Sequence, residues 1–209
     1  MKKSLLLWLT FAVLAPLLNG CFPVAVVGMS AGALMVADRR ISENYLADEA
    51  IEIRALKRIG DQPGVASHVN VTSYNRNVLL SGECFNEEDK AKIEQIAVGV
   101  PNVRAVYNQI QIAPVSSFGD RSSDSFITSK VKARFIDANQ FAAHHVKVVT
   151  ERGTVFLLGL VTEKEANAAV EVARTTSGVK QVVRLFEIIS QEEADRFDAG
   201  KNNPPPEVN

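Results

Sequence analysis

The sequence predicts an α+β protein made of two tandem copies of one small unit, each α-β-β-α-β, with a three-stranded mixed sheet covered by two helices. Three observations carry this. A strand pair recurs 77 positions apart, as Val69-Asn70-Val71 with Val78-Leu79-Leu80-Ser81-Gly82 and again as Val146-Lys147-Val148 with Val155-Phe156-Leu157-Leu158-Gly159. After each glycine comes a polar helix start, followed by apolar residues at helical spacing. Each copy then closes on a short strand, residues 103–110 or 179–186, with the offset now 76.

Taken in order, each copy opens with a helix, about 48–59 in the first and 123–136 in the second. The hairpin turns carry suitable residues, Asn75-Arg76-Asn77 and Glu151-Arg152-Gly153. The second helix starts at Asn86-Glu87-Glu88 in one copy and at Thr162-Glu163-Lys164-Glu165 in the other, where Thr162 and Glu165 have the spacing of a capping box. Ile93, Ile96, Ala97 and Val100 then match Ala169, Val172 and Ala173. A strand that returns after a helix is most naturally parallel to a hairpin strand. The expected units are 43–113 and 123–190, joined by a polar linker at 114–122 and followed by a tail at 191–209 whose end is expected to be disordered.

The N-terminus reads as an export signal. Lys2 and Lys3 precede a fourteen-residue apolar run at 5–18, too short to span a bilayer, where roughly 20 residues are needed. Leu18-Asn19-Gly20-Cys21 resembles a bacterial lipobox, which implies cleavage after residue 20 and acylation of Cys21. Asn19 is a less usual residue at its place. Phe22, where an aspartate would signal retention, favours the outer membrane. An apolar, glycine-containing spacer at 22–37 lies within the segment 21–42 that leads to the first unit. With residues 1–20 removed, 21 bases face 24 acids, so the mature net charge of −3 argues against nucleic-acid binding. Cys84 has no partner cysteine once Cys21 is acylated, and its expected role is packing.

Val78-Leu79-Leu80-Ser81-Gly82, residues 155–162 and Gly178-Val179-Lys180-Gln181-Val182 resemble the BON domain, in two copies that cover most of residues 45–190. The second copy is the closer match, because Val100-Pro101-Asn102-Val103 stands where Gly-Val is usual in the first. Lipobox, short spacer and two such domains together resemble the outer-membrane lipoproteins of this family. The resemblance implies binding of anionic phospholipid of the phosphatidylglycerol type, localisation toward the division site, maintenance of envelope integrity and no catalysis. It also implies that the first helix of the second domain, with an aromatic near its start, meets the lipid. Here that gives Phe126, Ile127, Lys130, Val131 and Arg134, with Tyr74 of the first hairpin turn abutting the same surface.

The residues themselves permit this. Ile127, Val131 and Phe135 share one helix face suited to packing on the sheet, and Phe126, Lys130, Ala133 and Arg134 fall beside it. Residues 122–136 carry three bases against one acid, whereas 43–59 carry three against four and have Ala50 in place of Phe126. That asymmetry selects the second domain. At ~1 kcal/mol per base and ~2 kcal/mol for the ring, contact would be weak and reversible. The alternative is a core Phe126 with an ordinary solvated lysine face, and Tyr74 as a plain turn residue. A second function class also stands, an adaptor for outer-membrane assembly proteins. His68 and His145 occupy equivalent positions, and His144 adjoins the latter, but one such ligand per copy with no cysteine or carboxylate cluster predicts no metal site. No nucleophile elbow, triad or phosphate-cradling loop is present, so neither enzyme activity nor a cofactor is expected.

Overall fold

The computed structural model describes residues 39–40, 42–62 and 67–200; the signal at 1–20, Cys21, the spacer and the chain beyond 200 lie outside the described residues. The first unit runs α1 (Ser42–Gly60), β1 (Ser67–Tyr74), β2 (Asn77–Cys84), α2 (Glu87–Val98), β3 (Ala105–Asn108) and a two-residue β4 (Gln111–Ile112). The second runs α3 (Phe118–Ala138), a single 3-10 turn at Ala143–His145, β5 (Val146–Glu151), β6 (Thr154–Val161), α4 (Glu163–Arg174) and β7 (Gln181–Ile188), and α5 (Gln191–Gly200) follows. In each unit the hairpin is antiparallel and the last strand returns parallel to the second hairpin strand, giving the orders β1-β2-β3 and β5-β6-β7. β4 also pairs with β2, further along it than β3. These are the two mixed sheets the repeat predicted.

The hairpin turns reveal how each unit is locked. Asn75 and Arg76 have φ of 50° and 67°, and Arg152 and Gly153 have 52° and 80°. Two successive left-handed residues form the tight turn that matches strand twist, but only Gly153 adopts it without steric cost. Buried aspartates on the preceding helices offset that cost. Asp48 of α1 accepts hydrogen bonds from the backbone N–H of Asn75 (2.8 Å) and Arg76 (2.7 Å) and from Ser73 Oγ (2.6 Å). Asp124 of α3, 76 positions on, accepts from Arg152 N (2.7 Å) and Gly153 N (2.8 Å). The motif glycines have a separate reason. A Cβ on Gly82 would stand 2.0 Å from the carbonyl oxygen of His68, and one on Gly159 would stand 2.4 Å from that of His145.

Each sheet packs one face on its helices. Val78, Leu80 and Cys84 meet Ile51, Ala55 and Ile93 in the first unit. Val155, Leu157 and Val161 meet Val131, Phe135 and Ala169 in the second. The opposite faces meet each other: Tyr74 and Leu79 pack with Phe156, Leu158 and Leu160. β2 and β6 therefore bury both faces, which is why they read as nearly unbroken apolar runs.

Two stretches expected to be irregular are helical. α3 begins at Phe118, five residues inside the proposed linker, because Ser117 and Asp120 form a reciprocal capping box. The polar residues of that stretch are a helix start. Residues 191–200 form α5 where a tail was expected; the Ser190 hydroxyl accepts from Glu193 N (3.2 Å), Glu193 accepts from Ser190 N (2.9 Å), and Ala194 is buried. The capping box of α4, Thr162 with Glu165, is present as the sequence predicts.

Replacing Asp124 by alanine leaves two left-handed backbone N–H groups without their acceptor. Charged hydrogen bonds of this kind contribute about 1.5–3 kcal/mol each. Asp124→Ala should therefore lower stability by about 3 kcal/mol in urea unfolding, with an unchanged m-value.

Candidate functional site

α3 supplies two opposed faces. Asp124, Ile127, Val131 and Phe135 point inward and are buried. On the other side Phe118 (79% exposed), Phe126 (64%) and Ile136 (69%) stand in solvent. The last lies eighteen positions beyond the first, roughly 27 Å of helix. Phe118 and Ile136 share one line along the helix and Phe126 lies about 80° round from it, so the three spread over the outward side of α3.

Beside Phe126 lies a groove of about 270 Å³ whose lining includes Phe126, Lys130, Arg152, Gly153, Gly178 and Lys180. Lys130 sits with its ammonium 4.9 Å from the centroid of the Phe126 ring and donates to the carbonyl of Ser177. Lys180 lays its stem across Gly153, where an added Cβ would come within 3.0 Å of it. The acids lining the groove are engaged elsewhere, Asp124 by the hairpin turn and Asp120 by the Ser117 cap. Arg152 is shared with Glu83 at 3.2 Å. Two lysines next to an exposed ring are thus the net electrostatic character of the groove.

Of the residues singled out from sequence, Phe126 and Lys130 come together at this surface. Arg134 is half-buried and donates to the Val172 carbonyl (3.0 Å) and Thr176 Oγ1 (2.9 Å), so it caps the end of α4. Three assignments are corrected. Ile127 and Val131 are core residues under the helix and present nothing to a membrane. Tyr74 is 3% exposed, buried between the sheets with its ring 4.3 Å from the Arg40 guanidinium. A turn residue looked exposed only because the sequence does not reveal that the two hairpins meet. Missed altogether were Phe118 and Ile136, which extend the apolar face once α3 has its full length, and Lys180, which reaches the groove from the loop before β7.

Elsewhere Cys84 is fully buried, and burial pushes its thiol up in pKa, as befits a packing residue. The expectation that no carboxylates accompany the histidines is overturned at the domain junction: His68, Glu83 and Glu151 lie together, drawn from both hairpins. The fold also fixes where the chain enters it. Arg40 pairs with Asp48 of the first unit at 2.6 Å. Arg39 bridges Glu165 (2.7 Å) and Asp198 (2.8 Å) of the second and donates to the Leu160 carbonyl (3.2 Å).

A family model for the BON domain matches residues 47–114 and 123–190. The chain belongs to the BON domain family. It is 35% identical over 174 residues to the outer membrane lipoprotein DolP of Haemophilus influenzae, covering 82% of this chain and 90% of that one. It is 31% identical over 154 residues to a 21 kDa hemolysin of Actinobacillus pleuropneumoniae, covering 73% and 79%. Osmotically-inducible protein Y of Escherichia coli is 27% identical over 157 residues, covering 73% and 78%. This BON protein is accordingly a DolP-like outer-membrane lipoprotein, lipid-anchored and facing the periplasm. Among its described residues no helix is long and apolar enough to cross a membrane.

Next to the Arg39 bridge of the second BON domain, His145 is 4% exposed. Burial, then the positive charges of Arg39 and His144, push its pKa down to about 4, against a partial pull upward from Asp198 and Glu165. A histidine kept neutral in the fold binds its proton only when unfolded, so its contribution is full above pH 6.5 and is lost as pH falls toward 4. Glu165 acts in the same sense: burial raises its pKa, but Arg39 and Thr162 outweigh that and hold it low. Urea unfolding should show stability falling by about 2 kcal/mol between pH 7 and 5 from His145 alone, a slope that His145→Leu flattens.

Proposed function

We propose that this protein is a non-catalytic lipoprotein that binds anionic phospholipid through the second BON domain, in support of envelope integrity and with a role toward the division site. In this reading Cys21 carries the acyl chains and α3 makes a second, reversible contact with the same membrane. The observation that carries it is the outer face of α3, where Phe126 stands exposed beside Lys130 and the Lys180 groove. A ring inserted at the acyl boundary, with ammonium groups at phosphate level, is how an interfacial helix holds an anionic surface. Phe118 and Ile136 add apolar area on the outward side of the same helix.

The soluble form, residues 22–209, should sediment with vesicles containing phosphatidylglycerol and not with neutral ones. Phe126→Glu removes about 2 kcal/mol of apolar burial and should weaken that binding at least tenfold. Lys130→Glu should weaken it too, and salt should weaken the wild type. A folded wild type that ignores anionic vesicles would overturn the reading.

A specific observation favours a second function class, a protein-interaction adaptor. On α1 of the first domain Leu46, Ile53 and Leu56 are exposed. A photo-crosslinker at Ile53 should capture an outer-membrane assembly protein if the adaptor reading holds, and Phe126→Glu should leave that capture intact.

A further inference from the structure

Where the two domains meet, His68 and Glu83 from the first hairpin face Glu151 from the second, with one ligand-capable atom from each lying within 4.8 Å of the others. Both carboxylates are buried, Glu83 completely. The Nδ1 atom of His68 is shielded from solvent and has no hydrogen-bond partner, although Glu83 Oε2 is 3.4 Å away. That separation is the edge of a tetrahedron with metal–ligand bonds of about 2.1 Å. Arg152 engages the other oxygen of Glu83, at 3.2 Å, Glu83 Oε2 accepts from Ser116 N and Oγ at 3.3 Å, and Asn70 holds Glu151 Oε2 at 2.9 Å. These contacts orient the two carboxylates as outer partners orient metal ligands. Against the site stands the charge of Arg152, whose side chain is 37% exposed and can turn outward. A solvent-reached cleft lined by His68, Asn70, Thr128, Thr150 and Glu151 leads to the cluster and leaves room for water.

We propose that His68, Glu83 and Glu151 form a binding site for a divalent transition metal of the Zn²⁺ class that links the two BON domains, with water as the fourth ligand. One imidazole and two carboxylates match the nitrogen and oxygen preference of Zn²⁺, and an imidazole ligand disfavours Ca²⁺ and Mg²⁺. Two buried negative charges balance the two positive charges of the ion. Because the ligands come from both hairpins, the metal acts as a clasp on the domain junction, so its binding stabilises the folded arrangement.

The test uses the full lipoprotein in detergent, stripped with chelator and titrated with ZnCl₂. One equivalent should bind and raise Tm, and Co²⁺ should give the visible absorption of a four- or five-coordinate site. Glu83→Gln is avoided as the sole variant because Glu83 is buried and paired. His68→Ala and Glu151→Gln should each weaken Zn²⁺ binding at least about tenfold and abolish the Tm rise. His144→Ala, at an exposed histidine outside the cluster, should change neither. Absence of stoichiometric binding overturns the proposal, as does binding that survives both His68→Ala and Glu151→Gln or that depends on His144.

Discussion

The face-to-face contact of the two sheets is the constraint on which the rest depends. Leu79, Phe156, Leu158 and Leu160 are each nearly or fully buried there, and at about 25 cal/mol per Å² such side chains contribute roughly 1.5–3 kcal/mol apiece. A sheet that gives one face to its helices and the other to a second sheet keeps no broad face for a ligand. What remains exposed is the outer surface of the helices. The contact also brings polar groups together at its rim: Asn75 with Glu187 at 2.8 Å, Lys147 with Glu52 at 2.9 Å and Asn70 with Glu151 at 2.9 Å. Half-buried pairs of this kind add little net stability, but a mismatched docking would strand them without partners. They select one orientation and leave the driving force to the apolar layer.

Within each unit the corresponding device is the helix aspartate. Asp48 and Asp124 sit on faces otherwise occupied by apolar residues, where a carboxylate is tolerated only if fully hydrogen-bonded. The hairpin turn supplies those bonds, since its left-handed residues present successive N–H groups to one point. The repeat is therefore tied as a loop: the first helix fixes the turn, the turn fixes the strand register, and the register sets Val78 and Val155 toward the helices.

Much of this was legible because duplication doubles every local signal. Strand pairs 77 residues apart, glycines at equivalent places and a capping box needed only the chain. Among the features that were not legible, three show the physical reasons. The start of α3 hid in serines and a glycine that resemble a linker, since a capping box is polar in the same way as a loop. Tyr74 looked exposed, since turns usually are, and only the sheet contact buries it. Likewise His68, Glu83 and Glu151 are scattered along the chain, and the β1–β2 register with the docking of a second domain brings them together. Phe126 was legible in part: periodicity puts it off the face of Ile127, Val131 and Phe135, but a core position stood as the alternative, and the structure exposes the ring.

Duplication with the sheets hidden leaves the outer faces of the helices as the surfaces on which the two domains differ. Both first helices hold equivalent outer positions, but α1 is net acidic around its exposed leucines, whereas α3 pairs exposed aromatics with lysines. An anionic surface repels the former and attracts the latter by about 1 kcal/mol per base. Arg39 adds a geometric difference, because its bridge to Glu165 and Asp198 holds this point of the chain on the second domain. Seventeen residues lie between Cys21 and Arg39, a reach of at most about 65 Å even when fully extended. In the proposed reading the tether sets the effective concentration at which α3 meets membrane within that radius, so contacts too weak to hold a free protein suffice for one already anchored.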